Sequence, residues 1–192
     1  MGYDDLGGGH IEVITGPMFA GKSEELIRRI NRLKYAKKKF MVFKPSIDDR
    51  YSKSEVVSHR NSRANSFAVK NSSEIRSLLK DDLEVVCIDE VQFFDEGIVD
   101  LIDELANKGL RVIVAGLDTD FSGKPFMITA ILLAKAEFVT KLTAICARCG
   151  KEATMTQRLI NGQIPSVNDQ VILVGASESY EPRCRHCHEV KK

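Results

Sequence analysis

The stretch that decides the fold is Gly16-Pro17-Met18-Phe19-Ala20-Gly21-Lys22-Ser23. It fits the pattern G-x-x-x-x-G-K-[ST], in which glycines let backbone N–H groups turn inward around phosphate oxygens. The lysine of this pattern adds a positive charge for the β/γ-phosphates, and the serine hydroxyl can ligate Mg²⁺. An apolar run ends just before the stretch and a helical pattern begins at its end, which is the required context. We therefore predict that residues 16–23, called the phosphate loop below, bind a nucleotide.

Apolar runs alternate with helical patterns from the phosphate loop to about Ile145. The predicted strands are 11–14, 40–43, 66–69, 85–88, 112–115 and 138–145, and the predicted helices are 23–38, 73–79, 97–108 and 125–134. Residues 46–65 show no clear period and are predicted to form a long loop. Because the strands are continuous apolar runs, the pattern predicts a parallel sheet covered on both faces and joined by right-handed crossovers.

A change in composition near Ile145 divides the chain. Residues 1–10 are predicted to form a flexible leader and residues 11–145 an α/β nucleotide-binding domain. Residues 146–192 contain turns, polar loops and cysteine pairs, and we predict a small zinc-binding domain there. A unit of this size rarely holds itself together without a cross-link.

Two acids follow the apolar strand Val85–Ile88 directly. In a phosphate-loop fold, the first acid at this strand end, here Asp89, holds Mg²⁺ directly or through water. The second, Glu90, is free to orient a nucleophile or to take its proton. The pattern leaves open whether that nucleophile is water, as in a hydrolase, or a substrate hydroxyl, as in a kinase.

Four of the five cysteines form two Cys-x-x-Cys pairs near the C-terminus, namely Cys146 with Cys149 and Cys184 with Cys187. Four thiolates can close a tetrahedral Zn²⁺ site with no open position, so we predict a structural rather than a catalytic metal. Each pair is expected on a tight turn, with the residues between the pairs looping out. A redox pair or free thiols are the alternative, and His186 or His188 could replace a cysteine ligand.

The charge balance argues against some classes of protein. The chain has 28 Lys+Arg and 27 Asp+Glu, whereas a binder of nucleic-acid backbones usually carries a clear basic excess, so we expect no nucleic-acid partner. No apolar run approaches the roughly 18 residues of a membrane span, and the start lacks the apolar core of a signal peptide. We therefore expect a cytoplasmic protein without a membrane partner, in which cysteines stay reduced.

Taken together, these motifs resemble those of thymidine kinase of the zinc-containing type, found in bacteria and in the vertebrate cytosol. The resemblance runs from about Ile11 to Cys187. Besides the phosphate loop and the cysteine pairs, the stretches that carry it are Asp48-x-Arg50-Tyr51, Ile88-Asp89-Glu90-x-Gln92-Phe93-Phe94, Gly116-Leu117-Asp118, Lys124-Pro125-Phe126, Lys141-Leu142-Thr143-Ala144 and Tyr180. The fold class implied is α/β, a RecA-like P-loop parallel sheet with helices on both faces and a small C-terminal zinc domain carrying a substrate-covering lasso loop.

The resemblance implies ATP- and Mg²⁺-dependent phosphorylation of the 5′-hydroxyl of thymidine, and of deoxyuridine, in deoxynucleoside salvage. It implies that Glu90 is the catalytic base, that Ser23 and Asp89 hold magnesium and that Arg50 stabilises the reacting phosphate. The ATP contacts it implies are Gly16, Pro17, Met18, Phe19, Ala20, Gly21, Lys22, Ser23, Asp89 and Gln92. The thymidine contacts it implies are Met18, Phe93, Leu117, Phe121, Phe126, Thr156, Val171, Ile172, Leu173, Val174, Gly175 and Tyr180. It also implies a homotetramer that is inhibited by thymidine triphosphate.

Three other readings remain open on the residues alone. A nucleic-acid-dependent ATPase with a zinc ribbon would need a basic stripe, and Lys37-Lys38-Lys39 is better explained as the end of a helix. A non-catalytic nucleotide-binding regulator would have no use for Glu90. A kinase for another nucleoside, such as deoxycytidine or deoxyguanosine, is excluded only by the resemblance.

Overall fold

The computed structural model describes residues 8–46, 55–57, 63–169 and 178–191, and within the short strands 55–57 and 63–65 only the backbone is described. Its centre is a six-stranded parallel sheet with the order β5-β2-β6-β7-β1-β8. The strands are β1 (His10–Thr15), β2 (Phe40–Pro45), β5 (Phe67–Val69), β6 (Val85–Ile88), β7 (Arg111–Gly116) and β8 (Phe138–Lys141). Strand β7 therefore lies between β1, which leads into the phosphate loop, and β6, which leads into Asp89.

Helices cover both faces of this sheet. They are α1 (Lys22–Tyr35), α2 (Ser72–Leu78), α3 (Gly97–Asn107) and α4 (Met127–Lys135), and a 3-10 turn spans Val91–Phe93. Alternate strand residues face opposite sides, so Val13 and Val114 pack with α3 while Ile14 and Ala115 pack with α1. The prediction of a parallel sheet with helices on both faces is confirmed.

Several element boundaries differ from the sequence prediction. Helix α1 ends at Tyr35 rather than at residue 38, because Lys37 has a positive φ of 53° that no helix continues. Strand β1 already includes His10, which the sequence assigned to the leader. The predicted loop 46–65 contains two short paired strands, β3 (Glu55–Val57) and β4 (Arg63–Asn65). Helix α4 begins at Met127, after the Phe126 N–H has donated to Asp118 O.

The prediction of one strand over residues 138–145 is wrong. Strand β8 ends at Lys141, and the Leu142 N–H still donates to Thr15 O over 2.8 Å before the chain leaves the sheet. Strand β9 (Ala144–Ile145) instead pairs antiparallel with β10 (Glu152–Ala153). Residues 138–145 therefore contribute strands to two different sheets.

The described residues of 144–169 and 178–191 form a second, much smaller cluster of elements. Strand β11 (Met155–Ile160) pairs antiparallel with β12 (Glu178–Arg183), so the segment between the cysteine pairs starts and ends as a two-stranded ribbon. Among the residues described in this part, the buried apolar cluster consists of small side chains, namely Ala144, Cys146, Ala153 and Cys184. Hydrogen bonds from Lys191 N to Pro165 O (3.0 Å) and from Val167 N to Lys191 O (2.8 Å) attach the chain end to the ribbon's loop.

The large sheet buries charged side chains within its strands, including Glu12 in β1 and Lys44 in β2. Glu12 in β1 is fully buried, and its carboxylate accepts from Arg29 of α1 and from Arg111 Nε of β7 (2.6 Å). His10 Nε2 lies 3.1 Å from the same carboxylate, and Arg29 also donates to Thr140 Oγ1 (2.8 Å). The carboxylate thus has partners from helix α1 and from the sheet itself, as a buried charge requires. None of the described helices is long and apolar enough to cross a bilayer.

Candidate active site and cysteine cluster

The phosphate loop joins β1 to α1 in a tightly fixed conformation. Gly16 has a φ of 143°, and a Cβ there would lie 2.3 Å from Leu142 O, so no other residue fits. Gly21 has a φ of 83° and forms the N-terminal cap of α1. Backbone N–H groups at this helix start, together with the helix dipole, form a site suited to an anion. The sequence motif and the local geometry therefore agree.

The Lys22 side chain lies inside this loop. Its Nζ donates to Pro17 O over 2.8 Å, and the residue is 9% exposed. Burial lowers the pKa of Lys22 from its ordinary value, while the carboxylates of Glu90, Asp89 and Asp118 oppose the shift. Three acids from two strand ends thus lie close enough to this ammonium to act on it.

Asp89 follows β6 and is almost completely buried, at 6% exposure. Its Oδ2 accepts from Ser23 Oγ over 3.3 Å, and its Oδ1 accepts from the Glu90 N–H over 2.9 Å. Burial, and then the neighbouring Glu90 carboxylate, raises the pKa of Asp89 from 3.8 to about 7. Neighbouring ligand oxygens in an octahedral Mg²⁺ site lie about 3 Å apart, so the Ser23 and Asp89 oxygens fit that ion.

Glu90 occupies an unusual backbone conformation. Its φ of 50° and ψ of 42° are left-handed, which costs an ordinary residue about 1–2 kcal/mol. The turn directs the chain from β6 into the 3-10 turn, where Gln92 Nε2 donates to Glu90 Oε2 over 2.5 Å. Gln92 Oε1 in turn accepts from the Leu117 N–H over 3.0 Å. The carboxylate is half-buried and is held from the side of β7.

The aromatic residues that the resemblance assigned to thymidine fall into two groups. Phe93 and Phe126 form an edge-to-face pair with ring centroids 6.1 Å apart. Phe121 is almost completely buried, and the guanidinium of Arg158 lies 5.0 Å from its ring centroid. The Phe121 carbonyl also lies 2.8 Å from His188 Nε2. Arg158 was missed by the sequence reasoning, because no motif marks a cation whose partner is distant in sequence.

Thr156 connects the ribbon to the phosphate loop. Its Oγ1 accepts a hydrogen bond from the Met18 N–H over 3.0 Å, and the residue is 3% exposed. Tyr180 lies on β12 directly opposite Arg158 of β11. The structure thus brings Met18 and Thr156, which are far apart in sequence, into contact at one point.

A third acid, Asp118, lies at the end of the neighbouring strand β7 and also faces the site. Asp118 is 6% exposed, follows β7, and forms an ion pair with Lys141 Nζ over 3.0 Å. Both residues lie in stretches that carried the resemblance, but neither was given a role. The signal was present, since an acid two residues beyond a buried parallel strand reaches the same sheet edge as Asp89.

The four paired cysteines come together as one cluster. Their sulfur atoms all lie within 4.8 Å of one another, and the Cys149 and Cys184 sulfurs are 3.7 Å apart. Zinc–sulfur bonds of about 2.3 Å place tetrahedral sulfurs about 3.8 Å apart, so the cluster fits a structural Zn²⁺. Tight turns present the pairs, since Gly150 N donates to Cys146 O and His188 N to Cys184 O.

The protonation preferences of these thiols differ. Burial raises the pKa of Cys146, but N–H groups of Cys184, Cys149 and Arg148 outweigh this effect and lower the pKa to about 6. Hydrogen bonds with Cys184 and Cys149, and burial, raise the pKa of Cys187 to about 12. Several thiolates so close together repel one another, and a shared cation removes that repulsion.

Some of the expected site residues lie outside the described part of the chain. They are Arg50, Val171, Ile172, Leu173, Val174 and Gly175. Their implied roles remain predictions, and the same holds for the covering of substrate by the lasso loop.

Comparison with known proteins gives a family match and, among solved structures, several similar folds, including the following two. A family model described as thymidine kinase matches residues 9–188. Among solved structures, the ATPase DotB of Legionella pneumophila is similar with a TM-score of 0.47 and 14% identity, covering 75% of this chain. This chain spans 43% of the length of DotB. The flagellar accessory protein FlaH from Methanocaldococcus jannaschii has a TM-score of 0.49 and 10% identity, covering 77% of this chain and 76% of its own.

Proposed function

Because the chain belongs to the thymidine kinase family, we propose that it transfers the γ-phosphoryl group of ATP to the 5′-hydroxyl of thymidine. The products are thymidine monophosphate and ADP, and deoxyuridine is a second acceptor. The observation that carries this proposal is the position of Glu90, next to the buried Asp89 and within electrostatic reach of Lys22 in the phosphate loop. A base beside the phosphate site is what a hydroxyl acceptor requires.

The phosphate loop binds the ATP phosphates in this proposal. Its backbone N–H groups and the start of α1 face the phosphate oxygens, and Lys22 neutralises their charge. Ser23 and Asp89 would hold a magnesium ion, which would supply positive charge to offset that of the phosphates. Because Lys22 is fixed by Pro17 O, its charge needs little rearrangement to meet the phosphates.

Glu90 takes the proton of the 5′-hydroxyl as the oxygen attacks phosphorus. Phe93 and Phe126 form an aromatic wall beside this acid, and a pyrimidine ring is a suitable partner for such a wall. Phosphoryl transfer also needs water to be excluded, or hydrolysis competes. The contact of Thr156 in the ribbon with the Met18 N–H supports a cover on this side, which the proposal assigns to the lasso loop.

The wider context is also proposed. We place the enzyme in deoxynucleoside salvage in the cytoplasm, where its free cysteines stay reduced and available to zinc. A homotetramer would explain why α4 exposes Met127 (64%) and Ile131 (40%) while it buries Thr129 and Leu132. Thymidine triphosphate, which carries both the base and the phosphates of the two substrates, is the proposed feedback inhibitor.

The test of this function is Glu90→Gln, with thymidine phosphorylation and ATP binding measured separately. Gln keeps the size of the side chain but cannot accept the proton, so we expect kcat to fall by about 10²–10⁴-fold with ATP affinity retained. Glu96→Gln, an exposed glutamate near the start of α3, is the matched control and should leave the rate unchanged. Near-wild-type turnover by Glu90→Gln would rule out this base.

A panel of nucleosides with ATP and Mg²⁺ defines the acceptor. We expect product from thymidine and deoxyuridine and far less from deoxycytidine or deoxyguanosine. ATP hydrolysis at the same rate without any nucleoside would identify water as the nucleophile instead. If DNA increased the rate of ATP hydrolysis and thymidine did not, a nucleic-acid-dependent ATPase would be favoured.

A further inference from the structure

We infer that Gln92 is a positioning residue, whose side-chain amide fixes the Glu90 carboxylate by joining it to the backbone at the end of β7. The inference rests on the proposed function, in which Glu90 is the base. The family resemblance places Gln92 among the ATP contacts, whereas its contacts in this structure are with Glu90 and Leu117.

The orientation of the Gln92 amide follows from its partners. The Leu117 N–H can only donate, so the atom 3.0 Å from it must be the carbonyl oxygen of the side chain. The NH₂ group therefore faces Glu90, where Nε2 lies 2.5 Å from Oε2. A carboxylate accepts this donor well, and the amide cannot flip without losing both hydrogen bonds.

The Gln92 amide lies in a closely packed position. Gln92 is 7% exposed, and a Cβ at Gly116 would lie 2.7 Å from its Oε1 and 2.8 Å from Val91 Cγ1. The glycine therefore gives the side chain the room it occupies. Strands β6 and β7 are parallel neighbours, and the amide connects the turns that follow them.

The Glu90 carboxylate needs such a restraint because it is attracted by the nearby Lys22 ammonium. The Glu90 carboxylate is the first of the acids that act on the buried Lys22 ammonium. A freely rotating carboxylate would be drawn toward that cation and would hold no fixed orientation for accepting a proton. Displacement of a reacting group by about 1 Å can cost about 10²-fold in rate.

The test is a double-mutant cycle between Gln92→Met and Glu90→Gln, with kcat and both KM values measured for each protein. Met has a similar shape but no amide, so Gln92→Met alone should lower kcat by about 10–100-fold. Its KM values should stay within about threefold, because ground-state binding is not its task. In the Glu90→Gln background, Gln92→Met should leave kcat almost unchanged, because the carboxylate that Gln92 positions is already absent.

Gln157→Met is the matched control. Gln157 is also a buried amide with backbone partners, namely Arg158 O, Glu189 O and Glu189 N, but it does not contact Glu90. Whatever factor this variant costs should be the same in both backgrounds. Thermal unfolding of all variants separates a loss of folded protein from a loss of rate.

Each outcome of this cycle either supports or overturns the positioning role of Gln92. A Gln92→Met enzyme with wild-type kcat, or one whose cost is undiminished in the Glu90→Gln background, overturns the positioning role and leaves the proposed function intact. Full activity of Glu90→Gln overturns the base and the positioning role together. The inference is supported if Gln92→Met lowers kcat when Glu90 is present but not in the Glu90→Gln background.

Discussion

The sheet and the ribbon contribute to the same site but are held together by different forces. The sheet buries two continuous apolar layers against α1 on one face and α3 on the other. In the described part of the ribbon region the buried apolar cluster is four small residues, and backbone pairing and the cysteine cluster are its other connections. The phosphate side of the site is therefore stabilised by apolar burial. The ribbon side would depend more on a metal ion bound by the four cysteines, which a chelator can remove.

This difference predicts that the two halves of the site can be lost separately. Burial of apolar area is insensitive to chelators, whereas a metal cross-link contributes about 10–16 kcal/mol in small zinc peptides. Contacts between the two regions, such as that of Thr156 with Met18, then determine whether loss of structure in one region destabilises the other.

The largest expected effect comes from removing a cysteine of the cluster. Cys184→Ala should abolish stoichiometric zinc and strip hydrogen-exchange protection from β11 and β12, while β1 and β7 stay protected. Thymidine phosphorylation should fall by more than about 100-fold, with nucleotide affinity at the phosphate loop nearly unchanged.

Cys87→Ala is the control for this experiment. Cys87 is also fully buried, but it lies in the sheet, where burial raises the pKa of its thiol to about 12 and keeps it inert. This variant should keep one zinc per chain. If Cys184→Ala and Cys87→Ala lost protection in the same elements, the two regions would be one cooperative unit.

A smaller effect is expected from Thr156→Val, which removes the link between the regions. The Met18 N–H would lose its acceptor, at a cost of about 0.5–1.5 kcal/mol in the free energy of unfolding. Thr156→Ser keeps the hydroxyl and should restore most of the loss. Denaturant unfolding of the three proteins measures the difference, and equal stability of the Val and Ser variants would show that the link is energetically neutral.

The smallest effect is expected from Glu104→Gln on the helical layer of the sheet. Hydrogen bonds from Arg76 and Lys108 lower the pKa of Glu104 from 4.5 to about 2, so its contribution is present above about pH 4.5 and fades as pH falls toward 2. The exposed pairs are weak, so the melting temperature at pH 7 should drop by only about 1–3 °C.

Melting curves at several pH values test the sign of this effect. The difference between wild type and Glu104→Gln should shrink as the pH is lowered from 4.5. Zinc content and the protection of the ribbon should not change, since α2 and α3 lie on the sheet. A difference that grows toward low pH would contradict the assignment.

The sheet was predictable because its signals are local. Runs such as Val112–Ala115 are apolar on both faces, and the phosphate loop fixes which strand leads into the site. The cysteine cluster was equally readable from its spacing. Local periodicity failed at residues 138–145, where the chain leaves one sheet after Leu142 and enters another at Ala144. The sequence there contains no glycine or proline that would mark the break.

The remaining features depend on pairs that are distant in sequence. The contact of Arg158 with Phe121 requires the register of β11, and the bridge from Gln92 to Leu117 requires β6 and β7 to be neighbours. The left-handed backbone of Glu90 is equally invisible, since nothing in its residue type predicts a positive φ. Sequence patterns gave candidate residues for the site, whereas their mutual orientation depends on tertiary contacts.

The buried Glu12 has a consequence for how this chain can change over generations. Losing Arg29 or Arg111 alone would weaken the compensation of a buried charge, and losing Glu12 would leave two cations facing each other. Breaking such a set at one position typically costs about 3–5 kcal/mol, whereas replacing all members with apolar residues is often neutral. A lineage can therefore leave this arrangement only through intermediates of low fitness. We expect the three residues to be inherited as a block, even in descendants whose substrate preferences have diverged.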